Sequence, residues 1–206
     1  DWNVSEEELA GALSGQEGQT LREIVDSIFR LWGKARSRNV RWGEKSPRHS
    51  YIAGKLYTLF SGAQFIHILR DGRDSCASML QRGWYEGSFL RICQHWVSCT
   101  QAALEFSRLH PNAVLQVRFE RLLANPEEEM QVVCRFLGVP FEYSIVDHQA
   151  YANEHLPAAA RDLHSKLFKP LDLKESGKWK SVLTVWQEAV FIAVAGRVSR
   201  HAGLRS

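Results

Sequence analysis

The sequence predicts an α/β protein, a parallel sheet flanked by helices, on three observations. Apolar residues recur at helical spacing over several long segments, short apolar runs of strand length lie between them, and the connections are brief. That order is the signature of strand-helix-strand units whose strands pair in parallel. The chain has 206 residues, 45% hydrophobic and 24% charged, which is an ordinary globular composition with enough residues for one sizeable core. A single domain over 1–206 is therefore expected.

Each element has its own grammar. Leu21, Ile24, Val25, Ile28, Leu31 and Trp32 repeat at helical spacing, and "NVRW" (39–42) then reads as a short strand. Pro47 suits a first helical turn and predicts a helix from there to about Phe60. Residues 64–69, "QFIHIL", read as a buried strand, followed by a helix over roughly 72–82. A longer helix carries Leu90, Cys93, Trp96, Val97 and Leu104 on one face. "AVLQVRF" (113–119) is the next strand. In "NPEEEMQVVCRFLGV", Asn125 can cap a helix, Pro126 starts it, three glutamates sit at its positive end and Gly138 stops it. A last amphipathic helix between Ser181 and Leu204 contains Val182, Val185, Trp186, Ala189, Val190, Ile192 and Ala193.

Composition also excludes functions. Net charge is +3, with the 26 Lys and Arg spread along the whole length, so the field suits an anionic ligand weakly and gives no reason to expect nucleic acid. Cys76, Cys93, Cys99 and Cys134 form no CxxC pair. A metal centre and a disulfide framework are both disfavoured, and the four read as buried free thiols. No apolar run approaches the roughly 20 residues of a membrane span. The first residues, "DWNVSEEELAGALSG", are acidic where a signal peptide would be basic, and no initiating Met is present, so an N-terminally incomplete domain is expected. Free thiols favour a reducing cytoplasm; the Golgi lumen is the alternative for a chain whose anchor has been removed.

The most informative stretch is the end of the 64–69 strand, which runs without punctuation into Arg70, Asp71, Gly72, Arg73 and Asp74. In open parallel sheets ligands bind outside the carboxyl ends of strands, where loop amides and a helix N-terminus face them. A guanidinium at Arg70 can hold a phosphate bidentately, and the Ser78 hydroxyl can reach the same group if the chain turns tightly, which Gly72 permits. The bland reading pairs Arg70 with Asp71 or Asp74 in a structural loop, and the local pattern leaves both open.

Four ordered segments together resemble one family. "RDGRDSCAS" (70–78) is similar to the 3'-phosphate-binding signature of sulfotransferases that use 3'-phosphoadenosine 5'-phosphosulfate (PAPS), in which an Arg at a strand end and a Ser eight residues later clasp the 3'-phosphate. Arg82 matches a further basic position of the tyrosylprotein branch. "WGEKSPRH" resembles the segment that supplies an active-site Lys, here Lys45; "VRFERLLANPEEEMQVVCRFLGVPF" resembles the strand and helix carrying an adenine-contacting aromatic, here Phe119. "KPLDLKESGKWKSVL" resembles the loop that closes over the cofactor, with Lys178, Trp179 and, more weakly, Lys169.

The resemblance implies a P-loop NTPase-like sulfotransferase fold lacking its first strand and Gly-rich phosphosulfate loop. "SGQEGQT" has glycines, but no apolar strand leads into it. The implied reaction is metal-free, in-line transfer of a sulfuryl group from PAPS to a hydroxyl or amine, with adenosine 3',5'-bisphosphate (PAP) as product. Lys45 would stabilise the charge growing on the bridging oxygen. Pro47 stands where cytosolic members have a His, so Glu44 or His49 is the expected base, Glu44 first for its proximity to Lys45. The acceptor is open among small molecules, sugars and peptides, behind a gate formed by "QRGWYEGSF" with Trp84, Tyr85 and Phe89; a homodimer is allowed. Two rivals are a P-loop kinase-type enzyme and a noncatalytic nucleotide-binding or interaction module on the same fold.

Overall fold

The computed structural model describes residues 5–14, 20–32, 41–155 and 165–204. Two compact units divide the chain, residues 1–63 and 64–206.

The first unit is helical. α1 (Glu6–Leu13) opens with a full capping box: the Ser5 hydroxyl accepts from the Glu8 amide at 3.1 Å and the Glu8 carboxylate accepts from the Ser5 amide at 2.9 Å. α2 (Leu21–Trp32) follows, and α3 spans His49–Leu59; its N-cap is Arg48, so Pro47 precedes the helix and does not occupy the first turn expected for it. The expected strand 39–42 is not formed where it is described: Asn39 and Val40 lie outside the described residues, and Arg41 and Trp42 are irregular. Side-chain contacts explain this. The Trp42 indole stacks on Phe29 of α2 at 4.3 Å, meets Phe60 edge-on at 5.4 Å and donates to Asp26 Oδ1 at 2.7 Å. Its apolar surface is thus spent on helices and not on a sheet face.

The second unit carries the sheet. β1 (Phe65–Leu69) and β2 (Val114–Arg118) pair in parallel with Phe65 opposite Val114 and Leu69 opposite Arg118, and they are the two strands among the described residues. Between them run α4 (Gly72–Gln81) and α5 (Phe89–Leu109), the crossover that a parallel pair requires. After β2 come α6 (Phe119–Ala124), α7 (Pro126–Leu137), α8 (His148–His155) and α9 (Val185–His201). α7 begins at Pro126 and ends at Gly138 in the left-handed region, φ 69°, as read from sequence, although the Asn125 side chain makes no capping bond. α9 has the capping box Thr184/Gln187.

The core lies where α4, α5 and α9 meet the end of β1: Leu69, Cys76, Ile92, Cys93, Trp96, Phe191, Ala195 and Val198 pack together. Of the apolar residues predicted for α9, Ala189, Ile192 and Ala193 are exposed, and so are Val185 and Trp186. Val185 and Trp186 precede the fully buried Phe191 by six and five residues, which places them well off its face at about 100° per residue. Three cysteines are buried and Cys99 is partly so, all as free thiols. Ile66 and Ile68, on alternate positions of β1, remain exposed.

Candidate functional site

The loop after β1 turns at once into a helix because Asp71 caps it: its Oδ1 accepts from the Arg73 amide at 2.8 Å. Asp71's own amide donates to Glu120 Oε1 of α6 at 2.9 Å, tying the two strand ends together. Gly72 serves this turn through space and not through a left-handed φ. A Cβ there would fall 2.6 Å from a Phe191 ring carbon and 2.7 Å from one of Trp96.

Arg70 leaves β1 at the carboxyl edge of the sheet. Its guanidinium lies over the Phe119 ring, 4.6 Å from the centroid, and its Nη2 donates to the Glu175 carbonyl at 2.6 Å. Its Nε is buried with no hydrogen-bond partner, a donor that an incoming anion would satisfy. The two carboxylates considered for a structural pairing are engaged elsewhere. Asp71 takes Arg73 through both of its oxygens, at 3.1 and 2.8 Å. Asp74 accepts the backbone amides of Gly177 and Trp179.

Arg70, Asp74, Ala77, Ser78, Gln81, Glu175 and Lys178 line one cavity of about 10 Å³, room for roughly a single water. Ser78 sits there because it is two turns along α4 from the strand end, and Lys178 because residues 173–181, a pair of short 3-10 turns around Gly177 (φ 79°), cross over α4. The Lys178 ammonium stands 3.7 Å from the Glu175 carboxylate. Lys178 and Arg70 therefore both face Glu175, one through its carboxylate and the other through its carbonyl.

The structure thus brings Arg70, Ser78, Lys178 and Phe119 together. Phe119 is the first residue of α6 and not the last of the strand, and the face expected to meet adenine carries the Arg70 guanidinium. Arg82 caps the far end of α4, exposed, and Lys169 is exposed with its carbonyl near His148 Nε2 at 2.9 Å; neither lines the cavity. Glu44 and Lys45 belong to the first unit, on the irregular segment 41–46, where Lys45 is exposed and the two base candidates meet, His49 Nε2 lying 2.9 Å from Glu44 Oε2. Arg73 is largely buried: its guanidinium stacks over Trp179 at 4.2 Å, and the Asp71 hydrogen bond holds its pKa above the usual arginine value.

Of the three aromatics expected at an acceptor gate, Phe89 is buried in the core, whereas Trp84 and Tyr85 are exposed around His95, with the Tyr85 ring 5.2 Å from it. Tyr85 and Glu86 hold left-handed φ values of 55° and 56°, strain of order 1–3 kcal/mol each that locally fixed structure must sustain. Sequence reasoning missed Asp74 and Glu175 as cavity residues. Asp74 was within reach, being four residues before Ser78 and so on the same helical face; nothing in the spacing links Glu175 to Arg70.

A family model described as the sulfotransferase family matches residues 3–143. Similar proteins include a protein-tyrosine sulfotransferase of Drosophila melanogaster, 26% identical over 192 residues (86% of this chain, 38% of that protein). Another is protein-tyrosine sulfotransferase A of Caenorhabditis elegans, 24% identical over 187 residues (86% and 49%). Among solved structures, the sulfotransferase domain from the curacin biosynthetic pathway superposes with a TM-score of 0.63 at 18% identity, covering 89% of this chain and 68% of its own. The sulfotransferase domain from the Synechococcus PCC 7002 olefin synthase does so with 0.63 at 21% identity, covering 94% and 75%.

The likeness to these two solved domains sets the class as an α/β sulfotransferase fold. The chain belongs to the sulfotransferase family. It spans 38% and 49% of the lengths of the two tyrosine sulfotransferases named above. No helix among the described residues is long and apolar enough to cross a membrane, and no group of metal-binding side chains occurs among them.

Proposed function

We propose that this chain carries the donor-binding part of a PAPS-dependent sulfotransferase whose acceptor is a tyrosine hydroxyl of a peptide or protein. One observation carries the reading: Arg70, with a buried Nε that has no partner, shares a cavity with the Ser78 hydroxyl and the Lys178 ammonium. Two cations and a hydroxyl on the carboxyl edge of a parallel sheet suit a phosphate monoester, and the 3'-phosphate of PAPS is such a group. Phe119 would hold Arg70 from beneath and present its edge to the adenosine.

When bound, the donor supplies a sulfuryl group: its S–O bond to phosphate breaks, an S–O bond to the acceptor oxygen forms, and PAP leaves. The parts assigned to the first unit rest on the family resemblance. Lys45 would neutralise the charge growing on the leaving oxygen, and Glu44, with His49 against it, would take the acceptor proton. Arg82 and Lys169, which do not line the cavity, are assigned to the donor by the resemblance alone. The acceptor class comes from the names of the relatives, and the exposed Trp84 and Tyr85 are a surface suited to an aromatic side chain. A cytoplasmic site gains no support from the comparisons.

The test uses the full-length protein with labelled PAPS and two peptides that differ by one Tyr→Phe exchange. Label transfer to the tyrosine peptide alone is expected. Transfer to neither, in protein that binds PAP, contradicts the acceptor assignment.

A further inference from the structure

Asp74 is 2% exposed, and both of its oxygens are taken by backbone donors more than a hundred residues away in sequence. The Gly177 amide donates to Oδ2 at 2.7 Å and the Trp179 amide to Oδ1 at 2.8 Å. These two residues flank Lys178. Gly177 is left-handed at φ 79° and Lys178 begins a 3-10 turn, the alternation of backbone hands that makes a concave anion-binding nest of amides. Here the anion is a side chain of the protein. A buried carboxylate is costly unless its lone pairs are satisfied, so the pair of amide bonds binds the strap 173–181 to α4 through one residue. The same helix face, one turn on, presents Ser78.

We propose that Asp74 is a positioning residue for donor binding: by fixing the backbone on both sides of Lys178 it aims that ammonium into the cavity shared with Arg70 and Ser78. The proposal rests on the donor reading given above. A carboxylate is required because two convergent N–H groups need two acceptors. Asn offers one acceptor and turns an NH₂ against the other amide.

Two loosened variants test it. Asp74→Asn keeps the side chain's shape. Gly177→Ala acts from the strap's side: a methyl there meets nothing within 4 Å, and only the positive φ is strained, so α4 and the core are untouched. Each is titrated with PAP and with AMP, alone and combined with Lys178→Ala, and amide exchange is followed in the unliganded wild type. The Gly177 and Trp179 amides should exchange about tenfold or more slowly relative to that of Lys178. Each variant should lose about tenfold in PAP affinity, the scale of one displaced charge-assisted contact, with AMP affinity unchanged and no further loss when Lys178→Ala is present. Wild-type protein that binds PAP no more tightly than AMP overturns the donor reading and this proposal with it. Normal PAP affinity in both loosened variants, losses that add to that of Lys178→Ala, or Gly177 and Trp179 amides as fast as that of Lys178 overturn the proposal alone.

Discussion

Arg70 and Arg73 lie three residues apart with the same charge, and the fold gives them different surroundings. Arg70 follows the last residue of β1, faces a cavity and keeps one buried donor without a partner. Arg73 sits in the first turn of α4, is held by Asp71 and covers the Trp179 ring. Removing Arg70 should therefore weaken binding of a 3'-phosphorylated nucleotide, while removing Arg73 should weaken the fold. Arg73→Ala breaks a partly buried ion pair and a cation–π contact, about 1–3 kcal/mol together, or roughly 2 to 4 °C of Tm for each kcal/mol in a chain of this size. Thermal melting of both variants checks this: Arg73→Ala should melt several degrees below Arg70→Ala, and the reverse order would mean that Arg70 is the structural residue. The charge pattern "RDGRD" revealed that one arginine was aimed at the sheet edge. It did not reveal that the other was stacked, because the stacking partner lies 106 positions away in Trp179.

At the scale of elements, the unit from β1 through α4 was legible because its causes are local. An apolar run ends, an aspartate caps, a glycine admits the turn, and apolar residues resume at helical spacing. The reason for the glycine was not legible, since Phe191 and Trp96 reach it from other helices. Gly72→Ala should consequently destabilise by overpacking, of order 1–3 kcal/mol, whereas the same change at an exposed helical site would be neutral or better. Denaturant unfolding measures it; a loss below about 0.5 kcal/mol would show that the two rings yield easily. Reading "NVRW" as a strand failed for the opposite reason. The partners of Trp42, Phe29 and Phe60, are aromatics beside helices and not a neighbouring strand. The strap 173–181 was recognisable as a Gly-containing loop with a cation; its attachment to Asp74 depends on tertiary structure alone.

At the scale of the molecule, the second unit gathers the predicted donor groups Arg70, Ser78 and Lys178 at one edge of its parallel sheet, while Lys45 and Glu44 belong to the first unit. The central claim is that this edge is a site for a 3'-phosphate. It is tested most directly by calorimetric titration of the full-length protein and of its Arg70→Ala variant with PAP and with AMP, which differ in that phosphate alone. The account predicts that wild type prefers PAP by about tenfold to hundredfold, the effect of one charge-assisted phosphate contact of about 1.5–3 kcal/mol, and that Arg70→Ala loses most of this preference while its affinity for AMP stays nearly the same. Equal affinity of the wild type for PAP and AMP, or a preference that survives Arg70→Ala intact, would contradict it.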